Sequence, residues 1–222
     1  MKKTFLMVAA VAAMLIATGF TACKPNSPQT PKEVDIYVVG YENNGTKNVA
    51  KVWKNGKELY ELTDGSKSAV AFSVFVVGGD VYTAGKESSD TKDVAKVWKK
   101  GSELFALTNG ANDAGANSVF VVGEDVYTAG YENNGTKDVA KLWKNKSATD
   151  LTDGSMLSTA NSVFVAGSNV YTAGCEDNGK NKIAKVWKND KELYALTDGS
   201  DYAGANSVFV AEDKVYAVGN DG

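Results

Sequence analysis

"SVFVVGEDVYTAG", Ser118 to Gly130, holds two runs of β-branched, aromatic and small residues around the tight turn Gly123-Glu124-Asp125. In "SVFVV" the alternating sets are Val119 with Val121 and Phe120 with Val122, so both faces of the strand are apolar. A sheet wetted on one side alternates apolar and polar residues; an apolar pattern on both sides requires cover from both sides. This stretch therefore asks for a sheet sandwiched between neighbours.

The neighbours are written in the same chain. Tyr37, Tyr82, Tyr127, Tyr171 and Tyr216 lie 45, 45, 44 and 45 residues apart, and Trp53, Trp98, Trp143 and Trp187 keep steps of 45, 45 and 44. Self-similarity at a fixed period near this length marks a repeat architecture. A second pair of β-rich runs completes the unit, as in "VAKVWKNGKELYEL", Val49 to Leu62, which folds about Asn55-Gly56, a strong hairpin signal. Four short strands per repeat is the pattern of a propeller blade.

The first and second strands of a unit, and the third and fourth, are joined tightly. The two remaining connections, as in "YENNGTKD" and "LTDGSDYAGAN", are longer and polar. Antiparallel alternation puts both long loops at one end of the sheets. The run at 73–77, 118–122, 162–166 and 207–211 is the most apolar and reads as the innermost strand. The expected fold is all-β, a β-propeller of four-stranded blades. Four blades closed by pairing of N- and C-terminal strands is the preferred form, because open ends leave adhesive edges; an open fragment of a larger propeller is the alternative. The second-strand motif occurs five times, including 36–39 and 215–218, so closure leaves one copy surplus.

The start of the chain is an address. "MKKTFLMVAAVAAMLIATGFTAC" has a basic beginning, an apolar run from Phe5 to Ile16 and small residues before Cys23. This is a secretory signal, with an apolar run short of the roughly 20 residues of a membrane span. "FTAC", Phe20 to Cys23, is similar to the lipobox of bacterial lipoproteins, with Phe20 where Leu is usual. The resemblance implies cleavage after residue 22, an acylated Cys23 and a lipid-anchored protein of the bacterial cell envelope facing outside the cytoplasm. Residues 23–34 hold all three prolines among polar residues and read as an extended tether. The repeat domain occupies 35–222.

Composition narrows the chemistry. The net charge is −3, every one of the 24 cationic residues is Lys, and His is absent. Without Arg or a basic field, nucleic acid is not an expected partner. Without imidazole there is no His general base, nucleophile pair or metal ligand. No cofactor is expected. Catalysis by two carboxylates is the remaining enzymatic alternative, a hydrolase or lyase, but Glu42, Glu87, Glu132 and Glu176 recur in every unit and read as structural. Asp64, Asp153 and Asp198 in "LTDG" read as turn formers, and the Trp series as packing between blades. The Asp177–Gly179 and Asp198–Asp201 stretches lack calcium-loop spacing. Cys175, with Cys23 taken by lipid, has no disulfide partner; it reads as a tolerated small residue, or a reactive thiol if exposed.

Departures from the repeat fall on the long loops: "KESSDTKD" at 86–93, "SMLSTAN" at 155–161 and Cys175 itself. Tyr41, Asn43, Asn44, Tyr131, Asn133, Asn134, Asp198 and Tyr202 gather at that end and are the candidate ligand-binding residues, because Tyr and Asn make adaptable contacts. The region after the signal resembles bacterial envelope lipoproteins carrying tandem propeller repeats, on Cys23 and the "SVFV…DVYTAG…AKVWKNG" unit. That resemblance implies a binding module for a glycan or protein, or else an envelope scaffold.

Overall fold

A computed structural model describes residues 34–222; the signal, Cys23 and the tether before Val34 lie outside the described residues. The described chain is all-β. The first sheet holds β1 (Tyr37–Asn43), β2 (Asn48–Lys54) and β3 (Lys57–Glu61). The second holds β4 (Ala69–Val77), β5 (Asp80–Ser88), β6 (Asp93–Lys99) and β7 (Ser102–Ala106). The third holds β8 (Ala114–Val122), β9 (Asp125–Asn133), β10 (Asp138–Lys144) and β11 (Ser147–Asp150). The fourth holds β12 (Ser158–Ala166), β13 (Asn169–Asp177), β14 (Lys182–Lys188) and β15 (Lys191–Ala195), and the fifth only β16 (Ala203–Ala211) and β17 (Lys214–Asp221). Every sheet is antiparallel with strands in chain order, and the second, third and fourth have the four-strand unit that the sequence requires.

Turn chemistry sets the registers. Asn55 and Gly56 both take positive φ, 52° and 76°, between Lys54 and Lys57, which are cross-strand partners. Such a turn matches the right-handed twist of the strands it joins. Asn55 also accepts from Ile36 N at 2.8 Å, and Asn145 and Asn189 bind Val126 N and Val170 N in the same way at 3.0 Å. One side chain thus makes the third-to-fourth-strand turn and ties it to the second strand.

The inner strands are longer than the sequence suggested. They begin at Ala69, Ala114, Ser158 and Ala203, inside stretches expected to be loop, and the second strands run on to Ser88, Asn133 and Asp177. Small residues make this extension possible. A Cβ on Gly130 would overlap the carbonyl oxygen of Gly115, and Gly85, Gly174 and Gly219 meet Val70, Thr159 and Gly204 in the same way. A bulge follows at Ala116/Ser118 and at the equivalent points of β4, β12 and β16. It aims side chains at the next sheet. Asn117 Nδ2 donates to Ala160 O at 2.9 Å, and Asn161 Nδ2 donates to Ala205 O at 3.0 Å. Val119 N, Val163 N and Val208 N donate to Ser73, Ser118 and Ser162 Oγ of the preceding sheet, at 3.1, 3.1 and 3.2 Å.

The core lies between sheets. Ala50, Val52 and Leu62 meet Ala69, Ala71, Val81 and Trp98; Ala95, Val97 and Leu107 meet Ala116, Val119 and Trp143; Ala140, Leu142 and Leu151 meet Ala160, Val163 and Trp187. Trp98, Trp143 and Trp187 are buried, so the expected packing role of the Trp series holds inside the array. Each buried indole contributes roughly 4–6 kcal/mol of gross apolar transfer. Phe75, Phe120, Phe164 and Phe209 stack along the inner strands with ring centroids 4.6, 4.9 and 4.9 Å apart. The first three are half-buried, and Phe209, on the last sheet, is exposed.

Ring closure by terminal strands is corrected here. Among the described residues no strand of the first sheet is hydrogen-bonded to the fifth. The edge of β16 that such a clasp needs is taken by β17, with eight partner pairs from Ala203↔Asp221 to Ala211↔Lys214. A hairpin closed by two residues costs far less chain entropy than pairing with β1 across the length of the domain. The surplus second-position strand therefore sits inside the last sheet, and among the described residues the first and last sheets do not pair with each other.

Candidate functional site

Both longer connections emerge at one end of the sheets, as read from the sequence, and each candidate residue lies at that end. Tyr41, Asn43, Tyr131 and Asn133 stand on the last turns of β1 and β9 rather than in loops. Asn44, Asn134, Asp198 and Tyr202 lie in the connections.

Most of their polar atoms are already used. Asn44 Oδ1 accepts from Thr46 N, Thr46 Oγ1 and Lys47 N, while its Nδ2 donates to Gly65 O at 3.1 Å. Asn134 repeats the arrangement with Thr136, Lys137 and Gly154, and Asn178 with Lys180, Asn181 and Gly199. Asn43 and Asn133 each accept from the Gly two residues on and donate to the first residue of the next strand. Asp198 accepts from Ser200 N at 2.9 Å, as Asp64 and Asp153 do from Ser66 and Ser155, and these bonds hold the three carboxyls below their ordinary range. Asn44, Asn134 and Asn178 are latches between the two connections, while Asn43, Asn133 and Asp198 each fix the turn they stand in. Their side chains thus do structural work at the end where the sequence places a ligand.

The recurring glutamates are likewise occupied. Lys51 Nζ lies 3.4 Å from Glu42, 2.8 Å from Glu58 and 2.9 Å from Glu61. Lys185 lies 2.6 Å from both Glu176 and Glu192, and Lys96 and Lys141 are clamped in the same way. These lysines bury their stems against the sheet, and Glu58 first, then Glu61, holds the Lys51 ammonium well above its usual pKa. The repeat needs the acids to neutralise a shielded cation.

What differs between units is how each boundary is sealed, which the sequence reading missed. Ser68, Asp113, Leu157 and Tyr202 occupy one equivalent position just before the inner strand. Ser68 Oγ accepts from Asn48 N at 3.2 Å. Asp113 accepts from Lys92 Nζ at 2.8 Å and Asp93 N at 3.1 Å; beside it Lys86 pairs with Asp93 at 2.6 Å. Leu157 is half-buried. Tyr202 lies under Lys182 Nζ, 5.3 Å from the ring centroid. Partners change together, with Lys182 facing Tyr202 where Asp93 faces Asp113. Pairing the departures from the repeat across adjacent units is the signal that finds them.

Tyr131 leans on Gly115, where a Cβ would come within 2.8 Å of its ring, and burial pushes its phenol pKa up. Cys175 is buried and its thiol is pushed up by that burial, so thiolate chemistry is disfavoured there. Tyr41 and Tyr202 are 44% and 55% exposed, and Asn43, Asn44, Asn134 and Asp198 also lie at the surface with the hydrogen bonds given above. At the opposite, tight-turn end a depression of about 510 Å³ lies between Asn169, Tyr171, Lys188, Val210 and Asp213. No protein-family model and no curated protein sequence matches this chain.

Proposed function

We propose that this chain is a lipid-anchored, extracytoplasmic binding module of the bacterial envelope, its sheets being blades of an open propeller arc. In this reading Cys23 carries the lipid, residues 23–34 hold the domain off the membrane, and the long-loop end meets a glycan or an envelope protein. The observation that supports it is the contrast at that end. The Asn and Asp side chains are spent on fixing the loops, while Tyr41 and Tyr202 stay exposed on the rigid platform so made. Rigid aromatic side chains lose little entropy on contact and stack on sugars or protein surfaces.

The test is a glycan array together with an envelope-extract pulldown, comparing the natural chain with Tyr41→Ala/Tyr202→Ala. Retention by the natural chain and its loss in the double variant is expected; equal behaviour of the two overturns the reading. A Cys23→Ser variant is expected to leave the membrane fraction. A scaffold role is the second reading, favoured by the incomplete sheets at both ends of the array. It predicts a protein that co-purifies with either form and no affinity for glycans.

A further inference from the structure

Inside the array, the Leu that follows each fourth strand sits under the Trp of the next sheet. Leu62 packs with Trp98, Leu107 with Trp143 and Leu151 with Trp187, leaving these leucines 6%, 9% and 7% exposed. In the fourth repeat no described residue fills the same socket. Leu196 is 46% exposed, because the fifth sheet stops at two strands and brings no Trp. A groove of about 190 Å³ runs beside it, lined by Ala184, Leu196, Ala205 and Gly219. Tyr194 is 54% exposed, whereas its counterpart Tyr60 lies against the Gly101 turn of the next sheet.

The other end of the array carries the matching half. Trp53 is the one Trp that is not fully buried, because among the described residues no sheet stands in front of it. Ile36, on the same outward face, is 59% exposed, while its counterparts Val81 and Val126 are 3% and 2% exposed. Among the described residues the first sheet has no inner strand and the fifth no outer two.

We propose that the first sheet of a second copy of this chain completes the fifth sheet, with Trp53 of that copy filling the Leu196 socket. The surface is the repeat's own inter-sheet contact, made three times within the chain by the same residue types in the same register. That continuity identifies the occupant. The union holds one second-position strand too many, so β1 must replace β17, exposed along nearly its whole length, beside β16. Burial of the Trp53 and Ile36 face against Leu196 is what offsets the loss of the two-residue hairpin. Such a contact is head-to-tail, so it builds a ring or a chain according to the rotation between copies. It does not depend on what the long-loop end binds.

The test uses the full-length chain in mild detergent, followed by native mass spectrometry over a concentration series. The natural chain is expected to associate. Trp53→Ala, Ile36→Lys and Leu196→Lys are each expected to weaken association by roughly tenfold or more, as loss of a central anchor does. Ile36 and Leu196 are exposed enough for their variants to fold, should Trp53→Ala fail to. An equimolar mixture of Ile36→Lys and Leu196→Lys chains retains one intact socket and one intact Trp53 face. It is expected to form a heterodimer and stop there. A natural chain that stays monomeric, variants that assemble like it, or a mixture without heterodimer each overturn the proposal. So does a monomer whose Trp53 emission is that of a buried indole, which assigns the socket to the chain's own Trp53.

Discussion

Asp113 and Lys92 join the third sheet to the second: Lys92 Nζ lies 2.8 Å from Asp113 Oδ2, and Asp93 N donates to Oδ1 of the same carboxylate at 3.1 Å. Both side chains are close to half exposed, so solvent screens the charge pair. A double-mutant cycle with Asp113→Ala and Lys92→Ala is expected to give a coupling of about 0.5 kcal/mol. Asp113→Ala alone should cost more, since it also leaves Asp93 N without its acceptor. A coupling near zero, with the single variants unchanged, would show that this boundary is held by the apolar contacts alone.

Gly130 sits where β9 passes closest to β8, and any Cβ there overlaps Gly115 O. Backbone cannot yield as a flexible side chain can. Gly130→Ala is expected to lower the unfolding free energy by more than about 3 kcal/mol, measured by urea titration. Gly135→Ala, in the loop with open space around the added methyl but φ of 101°, should cost roughly 1 kcal/mol. Equal effects of the two would refute the close-approach account.

Thr128 Oγ1 is buried with no hydrogen-bond partner, as are Thr83 Oγ1 and Thr172 Oγ1. Thr128 is the cross-strand partner of Trp143, and in the first sheet Val38 holds the same place opposite Trp53. Thr128→Val keeps the shape and removes an unsatisfied hydroxyl. Thermal unfolding is expected to show a gain of up to about 1 kcal/mol. A clear loss would show that the hydroxyl is satisfied in solution.

The pH profile has a defined plateau. Bonds from Ser66, Ser155 and Ser200 hold Asp64, Asp153 and Asp198 below the ordinary 3.8. A carboxyl whose folded pKa lies below its unfolded value stabilises the fold above the unfolded value. That contribution disappears as the pH falls through the folded value. For Lys51, raised above the ordinary 10.5 by Glu58 and Glu61, the stabilisation is present below 10.5 and fades as the pH rises through the folded value. The chain has no His. Stability should therefore be flat between about pH 5 and 9 and fall in acid below pH 4. A midpoint near pH 6 in the denaturation temperature would contradict this.

Much of the fold was legible because it follows from spacing. The four-strand unit and the Asn55-Gly56 hairpin follow from local pattern and period; cover of "SVFVV" is complete for Val119 and Val121 but leaves Phe120 half-buried and Val122 45% exposed. The extension of β8 back to Ala114 was not legible, because Ala and Gly are weak strand formers. They are there for a close crossing that only the paired strand reveals. The fate of Asn44 and Asn134 was hidden for a similar reason: their partners, Gly65 and Gly154, lie about 20 residues away. Asn-Gly-Thr is turn chemistry in either reading, and a distant carbonyl decides whether the amide is free.

The sequence alone determined the repeating unit, the order of strands within it, and the end at which the long connections gather. Each depends on contacts between residues close in the chain, which composition and period report. Tertiary structure alone decided which side chains at that end are hydrogen-bonded within the protein and that, among the described residues, the first and fifth sheets do not pair. Both turn on competition for hydrogen-bonding edges, where β17 reaches β16 through a two-residue turn and β1 must come from the far end of the domain.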